Sequence, residues 1–319
     1  MITAYLLLLL SGICQGSFGL GYKKYAPLSW EAFWWIYSLF CLLVSIGWAA
    51  AAQPELFPLL VQAGFGKLWL PFLCGVVWGV STIAFSKSVL LIGISLCFGI
   101  NMGTSAAIGS VLPFCLSGKQ PSASSVGFLA GGLLLTLLGI AVITKAGLMK
   151  EQAQKSGNTK LGIRLAVISG LCSGIMNVGF DKAAPLGKAA ADSTAAAAVQ
   201  WLPVLTGGMA ASILCCTVLL FKKKTWHTFA CKGAVGRSGI LFLTSLVWLA
   251  ALALYGIAAK KIGDAGSSIC WLIFNALALV VSNLWGLKTG EWKGAQKAKK
   301  VLLLGNIIIV ASWLLTVQI

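Results

Sequence analysis

Carboxylate and imidazole side chains are scarce in this sequence. Seven of its 319 residues are Asp or Glu and one is His, against 24 Lys and Arg. The sequence contains no HExxH motif, no closely spaced pair of carboxylates and no nucleophile elbow, although these patterns carry much metal-dependent and hydrolytic chemistry. We therefore predict that the protein is not an enzyme, and we expect no catalytic residue, no metal ion and no cofactor.

The cysteine spacings that are typical of metal sites and redox motifs are missing too. None of the ten Cys residues forms a CxxC pair or a Cys/His cluster. All but Cys231 fall within apolar segments, where a free Cys acts as a small packing residue. The one His, His227, lies in the basic stretch KKKTWHTF, which favours a solvated loop residue over a proton relay.

Long hydrophilic stretches are also missing. Apolar residues make up 59% of the chain and charged residues 10%, and the mean hydropathy is +0.93. A soluble domain cannot cover its surface with this composition, and no segment is polar enough to form an ATP-binding cassette, a soluble catalytic domain or a receptor module. We predict an all-α integral membrane protein surrounded by the lipid bilayer.

Apolar segments of membrane-spanning length recur from end to end. Each is close to the roughly 20 residues that cross a hydrocarbon core of about 30 Å as a helix. The ten predicted transmembrane helices, called spans 1 to 10 below, cover residues 3–20, 29–51, 69–90, 93–117, 124–145, 161–181, 195–221, 237–258, 265–288 and 300–318. Span 1 is not a cleaved signal peptide, because MITAY carries no positive charge ahead of it.

One stretch of the sequence occurs twice. Residues 11–27 read SGICQGSFGLGYKKYAP and residues 169–185 read SGLCSGIMNVGFDKAAP, a match without gaps at a shift of 158 positions. A second match at a shift of 170 pairs span 3 with span 8 and Trp78 with Trp248. We therefore predict that residues 1–155 and 156–319 are two copies of one unit.

The number of spans in each copy predicts how the copies are oriented. Five is odd, so two fused five-helix repeats must lie inverted in the membrane. Three quarters of the 24 Lys and Arg residues fall in one set of alternate loops. Because short cytoplasmic loops are rich in Lys and Arg, both termini are expected outside. Membrane topology also explains the net charge of +17, and we expect no nucleic-acid partner.

Several segments resemble a known family. They are YKKYAPLSWEAFW entering span 2, FLCGVVWG in span 3, GISLCFGINMGTSAAIG in span 4, LLGIAVITKAGLMKE closing span 5 and LKTGEW ending span 9. These segments are similar to the bacterial L-rhamnose/proton symporters of the drug/metabolite transporter superfamily. The resemblance implies a ten-helix inverted-repeat fold in the bacterial inner membrane, and import of a small sugar together with a proton.

Other activities remain open at this point. Another activity of the same superfamily, such as facilitated sugar uptake or the export of metabolites or amino acids, would fit the same architecture. A membrane-embedded enzyme or assembly factor is a more remote alternative. The sequence predicts no oligomeric state.

A sugar site needs an aromatic surface and several amide or hydroxyl partners. Both kinds of side chain lie inside the spans, where polar groups face the interior of the bundle. The candidate substrate-binding residues are Gln15, Trp78, Asn101, Asn177, Trp248, Trp271 and Asn275. The alternative for each amide is a structural bond between helices, and for each Trp it is core packing. Tryptophans near span ends are expected to be interfacial anchors: Trp30, Trp34, Trp69, Trp226 and Trp292.

Proton coupling needs a group that gains and loses a proton next to the substrate path. The candidates are Asp181, which ends span 6 inside the repeated motif, Asp264, which begins span 9, and Glu31, which begins span 2. The alternatives are a surface acid balanced by Lys182 for Asp181 and a helix cap for Asp264.

Glu31 and Lys87 have both a structural and a gating interpretation. Glu31 follows Ser29 at a helix start and can cap that helix or pair with Lys23 or Lys24. Lys87 lies near the end of span 3 and can extend its amine to the membrane interface. Alternatively, Lys87 forms a cytoplasmic gate by closing against Glu31.

Overall fold

The computed structural model describes residues 2–22, 26–116, 123–152, 158–263 and 266–316. Within these ranges the regular structure is helical and contains no β-strand, so the predicted all-α class is confirmed. The helices are α1 (Ile2–Ser17), α2 (Gly19–Tyr22), α3 (Trp30–Ala52), α4 (Leu56–Ala63), α5 (Phe65–Leu116), α6 (Ala123–Gln152), α7 (Thr159–Lys182), α8 (Ala184–Lys188), α9 (Ser193–Lys223), α10 (Ala234–Ile262), α11 (Gly266–Lys288) and α12 (Gln296–Thr316). A 3₁₀ helix, Trp226–Ala230, joins α9 to α10.

Nine stretches of helix in the described ranges are long and apolar enough to cross a membrane. They are Ile2–Gly21, Trp30–Ala52, Phe65–Gly93, Leu96–Leu116, Val126–Lys150, Thr159–Lys188, Ser193–Lys223, Ala234–Ile262 and Gly266–Lys288. These correspond to predicted spans 1 to 9. α12 covers most of predicted span 10, but it starts with the lysine-rich segment QKAKK and residues 317–319 lie outside the described ranges. The chain is a multi-pass membrane protein.

A glycine marks the junction between consecutive spans at two corresponding places. α5 contains both span 3 and span 4 and is interrupted at Gly93, where φ is 74° and ψ is 164°. Gly263 follows α10, which contains span 8, and has a φ of 96°. Positive φ is easily adopted by Gly and is costly for most other residues. The two glycines that match at the shift of 170 thus meet the same backbone requirement.

Helices from one half of the chain pack on helices from the other half. α1 packs on α10 and α11, and its sequence counterpart α7 packs on α5. α3 packs on α9, and α6 packs on α12. In the predicted repeat, α1 corresponds to α7, α3 to α9, α6 to α12, and α5 to α10 and α11. Exchanging the two halves therefore gives the same set of helix contacts.

Glycines bring the first segment of α5 into backbone contact with α9. A Cβ on Gly75 would overlap the carbonyl oxygen of Val204, and a Cβ on Gly79 would overlap the carbonyl oxygen of Gly208. Small residues allow this approach of two helices in a membrane, where packing has to replace the hydrophobic effect. The indole ring of Trp78 lies directly against Gly208, so the same contact positions this side chain.

Two of the tryptophans predicted as interfacial anchors lie inside the protein instead. Trp34 is 8% exposed and Trp292 is 3% exposed. Trp292 joins the main hydrophobic core, and the amine of Lys150 lies 5.1 Å from its ring. The anchor prediction is wrong for these two residues, because α3 and the turn after α11 direct the rings into the protein interior.

Candidate functional site

A cavity lies inside the bundle, between residues of α1, α3, α5, α7, α9, α10 and α11. Its volume is about 90 Å³, which is room for several water molecules. Its polar wall is formed by Gln15, Tyr37, Ser38, Ser81, Thr82, Asn101, Ser105, Ser169, Ser173, Ser212 and Asn275. Its aromatic wall is formed by Phe18, Trp34, Trp78, Phe85, Trp248, Trp271 and Phe274. No charged side chain lines the cavity in the part of the chain that the structure describes.

Trp78 and Trp248 stack on each other in the cavity wall. Their ring centroids are 5.6 Å apart and the ring planes differ by 7°. Tyr37 contacts Trp248 edge to face, with 6.2 Å between the centroids. The two tryptophans that the sequence match pairs are therefore in contact, and stacking covers one face of each ring.

Two of the candidate amides in the cavity wall already donate hydrogen bonds through their Nδ2 atoms. One bond goes to a neighbouring helix and the other stays within the same helix. Asn101 Nδ2 donates to Ser169 Oγ at 2.8 Å, which links α5 to α7. Asn275 Nδ2 donates to the carbonyl oxygen of Trp271 one turn earlier in α11, at 2.8 Å. These bonds hold the two amides in place and leave their oxygens as the groups that a ligand can reach.

Trp271 is fixed by a bond from its ring to the backbone of α5. Its Nε1 donates to the carbonyl oxygen of Ser105 at 3.0 Å. The ring also lies against Gly109, where any Cβ would overlap Nε1. The Trp271 ring is thus held against the second segment of α5, one of the two most buried spans of the bundle.

Asn177 does not line the cavity. Its Nδ2 donates to the carbonyl oxygens of Gly109 at 2.8 Å and Ser267 at 3.1 Å. Its Oδ1 accepts a hydrogen bond from the Tyr255 hydroxyl. Asn177 is completely buried and connects α7 to α5, α10 and α11, so its contacts fit the structural alternative.

Asp181 lies one helical turn beyond Asn177, toward the end of α7. Its Oδ1 accepts a hydrogen bond from Ser267 Oγ at 2.6 Å. Its neighbour Lys182 donates to the carbonyl oxygen of Leu116 at 3.4 Å, while Lys260 on α10 interacts electrostatically with Asp181. Asp181 therefore holds the end of α7 to the start of α11. Asp264, another proton-coupling candidate, lies outside the described residues.

Five buried aromatic rings from α7, α9, α10 and α11 pack together beside the cavity. Tyr255 is central: its ring centroid lies 5.4 Å from Phe180, 5.8 Å from Trp201 and 5.3 Å from Trp271. The fifth ring, Phe274, lies 5.4 Å from Tyr255. None of the five is more than 3% exposed. Trp271 and Phe274 also line the cavity, so this cluster adjoins the cavity wall.

Glu31 links the two halves of the chain at the other end of the bundle. It is 2% exposed, and its Oε2 pairs with Lys223 Nζ at 3.1 Å. Its Oε1 accepts a hydrogen bond from Thr225 Oγ1 at 2.6 Å. Ser29, rather than Glu31, caps α3 by accepting a hydrogen bond from the Ala32 amide at 3.3 Å.

The comparison with known sequences gives a consistent result. The chain matches the family described as L-rhamnose-proton symport protein (RhaT) over residues 1–318. The chain belongs to this family. An L-rhamnose-proton symporter from Cronobacter sakazakii is 26% identical over 312 residues, covering 91% of this chain and 90% of that protein. One from Yersinia pestis is 26% identical over 310 residues, covering 91% and 89%.

Membership of this family confirms the resemblance that was inferred from the sequence motifs. The relatives are named as symporters, which are transporters, so the prediction that the chain is not an enzyme is confirmed. Six of the seven candidate binding residues line one cavity: Gln15, Trp78, Asn101, Trp248, Trp271 and Asn275. Asn177 is the exception.

The structure tests one of the partners predicted for Glu31. Lys23 and Lys24 lie outside the described residues. Lys87 is exposed, and Glu31 pairs with Lys223 rather than with it. The Glu31–Lys87 pair of the gating interpretation is therefore not formed in this structure.

Hydroxyl residues of the cavity were missed at the level of sequence. Ser38 Oγ donates to Ser212 Oγ at 2.9 Å, which connects α3 to α9. Ser81 and Thr82 bond to backbone carbonyls one turn earlier in α5. Serine is common in membrane helices and can satisfy its hydroxyl within its own helix, so no sequence signal separates these residues from other serines.

Replacing Lys223 with Met should destabilise the protein by about 1–2 kcal/mol. The change leaves the buried Glu31 carboxylate without its cation, while half-exposed Lys223 contributes less than a buried partner would. Thermal unfolding in detergent should report the loss. A Glu31→Gln/Lys223→Met double variant should recover part of it, because no unpaired charge remains. Equal or greater destabilisation in the double variant would contradict this explanation.

Proposed function

We propose that this protein is an inner-membrane symporter that imports L-rhamnose or a similar monosaccharide together with protons. The observation that carries the proposal is the cavity, which the described residues line with aromatic rings, amides and hydroxyls and with no charged side chain. Such a wall suits a neutral ligand that has both hydroxyls and C–H faces. Membership of the L-rhamnose-proton symport protein family supports this substrate and this coupling ion.

We further propose ten transmembrane helices in two inverted repeats, residues 1–155 and 156–319, with both termini outside. The packing that is unchanged when the halves are exchanged supports this arrangement, as do the paired glycines Gly93 and Gly263. In this orientation Glu31 lies at the cytoplasmic end and Asp181 at the external end. Inverted repeats around a central cavity permit alternating access by rocking of one half against the other.

The proposed roles follow from the positions of the side chains. Gln15, Trp78, Asn101, Trp248, Trp271 and Asn275 would contact the sugar. Asp181 would exchange the coupled proton at the external end, and Glu31 would hold the cytoplasmic ends of α3 and α9 together through Lys223. Asn177 would connect the cavity wall to Asp181 through Tyr255 and Ser267.

Uptake by membrane vesicles tests the proposal. Labelled L-rhamnose should accumulate above its external concentration when the outside is made acidic, and a protonophore should abolish that accumulation. Vesicles without the protein are the control. Uptake that depends on neither the gradient nor the protonophore would refute proton symport.

Facilitated sugar passage is the second candidate, and one observation favours it. No acidic side chain lines the cavity among the described residues, so a proton has no obvious site beside the substrate. Accumulation in an imposed proton gradient distinguishes the two activities, because both of them exchange sugar. A facilitator would exchange internal unlabelled sugar for external labelled sugar, but it would never accumulate sugar when a proton gradient is imposed.

A further inference from the structure

Two polar atoms in the cavity wall have no hydrogen-bond partner among the described residues. They are Gln15 Oε1 on α1 and Ser105 Oγ on the second segment of α5. Gln15 is 7% exposed and Ser105 is 1% exposed, so bulk water does not readily satisfy either group. Buried polar groups in native proteins are nearly always paired, and an orphan calls for a physical reason. A ligand that supplies the missing partners is such a reason.

The backbone around Gln15 is tightly held. Gly12 and Gly16 let α1 lie directly against Leu277 and Val281 of α11, because a Cβ at either glycine would overlap these side chains or come close to them. On the same helix, Ser11 Oγ donates to the carbonyl oxygen of Ala251 in α10 at 2.7 Å. α1 is therefore fixed on both sides of Gln15, and the unpaired amide oxygen is not a sign of loose packing.

Ser105 is held just as firmly. Its carbonyl oxygen accepts the bond from Trp271 Nε1, while its hydroxyl is left without a partner. Most serines in the cavity wall behave differently, since Ser38, Ser81 and Ser169 each have a hydrogen-bond partner. Among the buried serines of the cavity wall that the structure describes, Ser105 is thus the one whose hydroxyl lacks a partner.

We propose that Gln15 Oε1 and Ser105 Oγ form the polar pair that binds the hydroxyl groups of the transported solute. Gln15 Oε1 accepts from a solute hydroxyl, and Ser105 Oγ donates to or accepts from another. Because none of the described residues brings a charge to the wall, the cavity takes neutral polyhydroxylated solutes and rejects sugar acids, sugar phosphates and protonated amino sugars. The inference rests on the proposed function only in taking a sugar as the solute.

Binding can be measured without transport. The full-length protein, purified in detergent, is titrated with L-rhamnose, D-glucose, D-glucuronate, glucose 6-phosphate and D-glucosamine while its tryptophan fluorescence is followed. Stacked Trp78 and Trp248 make that signal sensitive to a ligand in the cavity. Gln15→Met removes the amide oxygen together with its nitrogen, and Ser105→Ala removes the hydroxyl. Ser110→Ala is the matched control, since its Oγ is also buried and unpaired on α5 but does not line the cavity.

Each cavity variant should weaken binding of the neutral sugar about threefold to tenfold, which is the usual range for one hydrogen bond. Ser110→Ala should leave binding unchanged. Ser105→Ala should not lower the melting temperature of the free protein, because the removed hydroxyl has no partner there. The melting temperature therefore distinguishes a variant that loses only a contact with the sugar from one that no longer folds.

Three results would overturn the inference: wild-type affinity in both cavity variants, an equal effect of Ser110→Ala, or binding of a charged sugar or of no sugar by the wild type. Failure of the proposed function gives a different pattern. In that case a neutral sugar still binds through Gln15 and Ser105, but vesicles do not accumulate it in response to a proton gradient.

Discussion

Replacing Asp181 with Asn is expected to abolish the proton-driven accumulation of L-rhamnose and to leave exchange of internal for external sugar intact. Asn keeps an Oδ1 atom that can accept the hydrogen bond from Ser267 Oγ, so the link between α7 and α11 is retained. What the change removes is the ability to gain and lose a proton. Accumulation and exchange in the same vesicles separate these two functions.

Asp192→Asn is the matched control for this experiment. Asp192 caps α9 by accepting bonds from the amides of Thr194 and Ala195 at 2.7 and 2.8 Å. Asn caps helices about as well as Asp does, so this variant loses an acid near the same membrane face without losing its structure. It should accumulate sugar normally.

Two outcomes would contradict the role proposed for Asp181. Normal accumulation in Asp181→Asn would mean that another group, such as Asp264, couples the proton. Loss of both accumulation and exchange, together with normal expression, would mean that the charge of Asp181 is needed for the helix movement itself. Lys260 is a partner for such a role, because it interacts electrostatically with Asp181.

Replacing Gly75 with Ala is expected to destabilise the protein by about 3 kcal/mol, at the upper end of the usual cost of overpacking. The new Cβ would overlap the carbonyl oxygen of Val204. Because the obstacle is backbone rather than a flexible side chain, α5 and α9 must move apart. The stacked tryptophans of the cavity depend on the same helix contact, so sugar binding should weaken as well.

Gly47→Ala provides the control for Gly75→Ala. Gly47 is also helical, but a Cβ there meets no atom within 4 Å, and Ala has the higher helix propensity. The control should melt at or slightly above the wild-type temperature. Equal melting temperatures for both variants would show that α5 can separate from α9 without a cost.

The membrane class, nine of the spans and six of the cavity residues could be predicted from the sequence. Apolar length identifies a span, and a polar side chain in the middle of a span has to face the bundle interior. Gln15, Asn101 and Asn275 were found by this argument. Trp78 and Trp248 were found because the two halves of the sequence still match at those positions.

Long-range pairing could not be predicted from local pattern. Glu31 pairs with Lys223, which is 192 residues away, and nothing near either residue identifies the other. Asn177 illustrates a related limit. An amide in the middle of a span can contact a ligand or join two helices, and the sequence does not distinguish these roles. The packed helices show that Gly109, Ser267 and Tyr255 satisfy the Asn177 amide.

The stack of Trp78 on Trp248 joins one indole from the first half of the chain to one from the second. Two indoles at this separation couple their electronic transitions, and the strength of that coupling changes steeply with distance and angle. Rocking of one half against the other would alter both quantities. The circular dichroism of the unlabelled protein should therefore contain a signal that follows the relative position of its halves, so that the transport cycle can be observed optically without an attached dye.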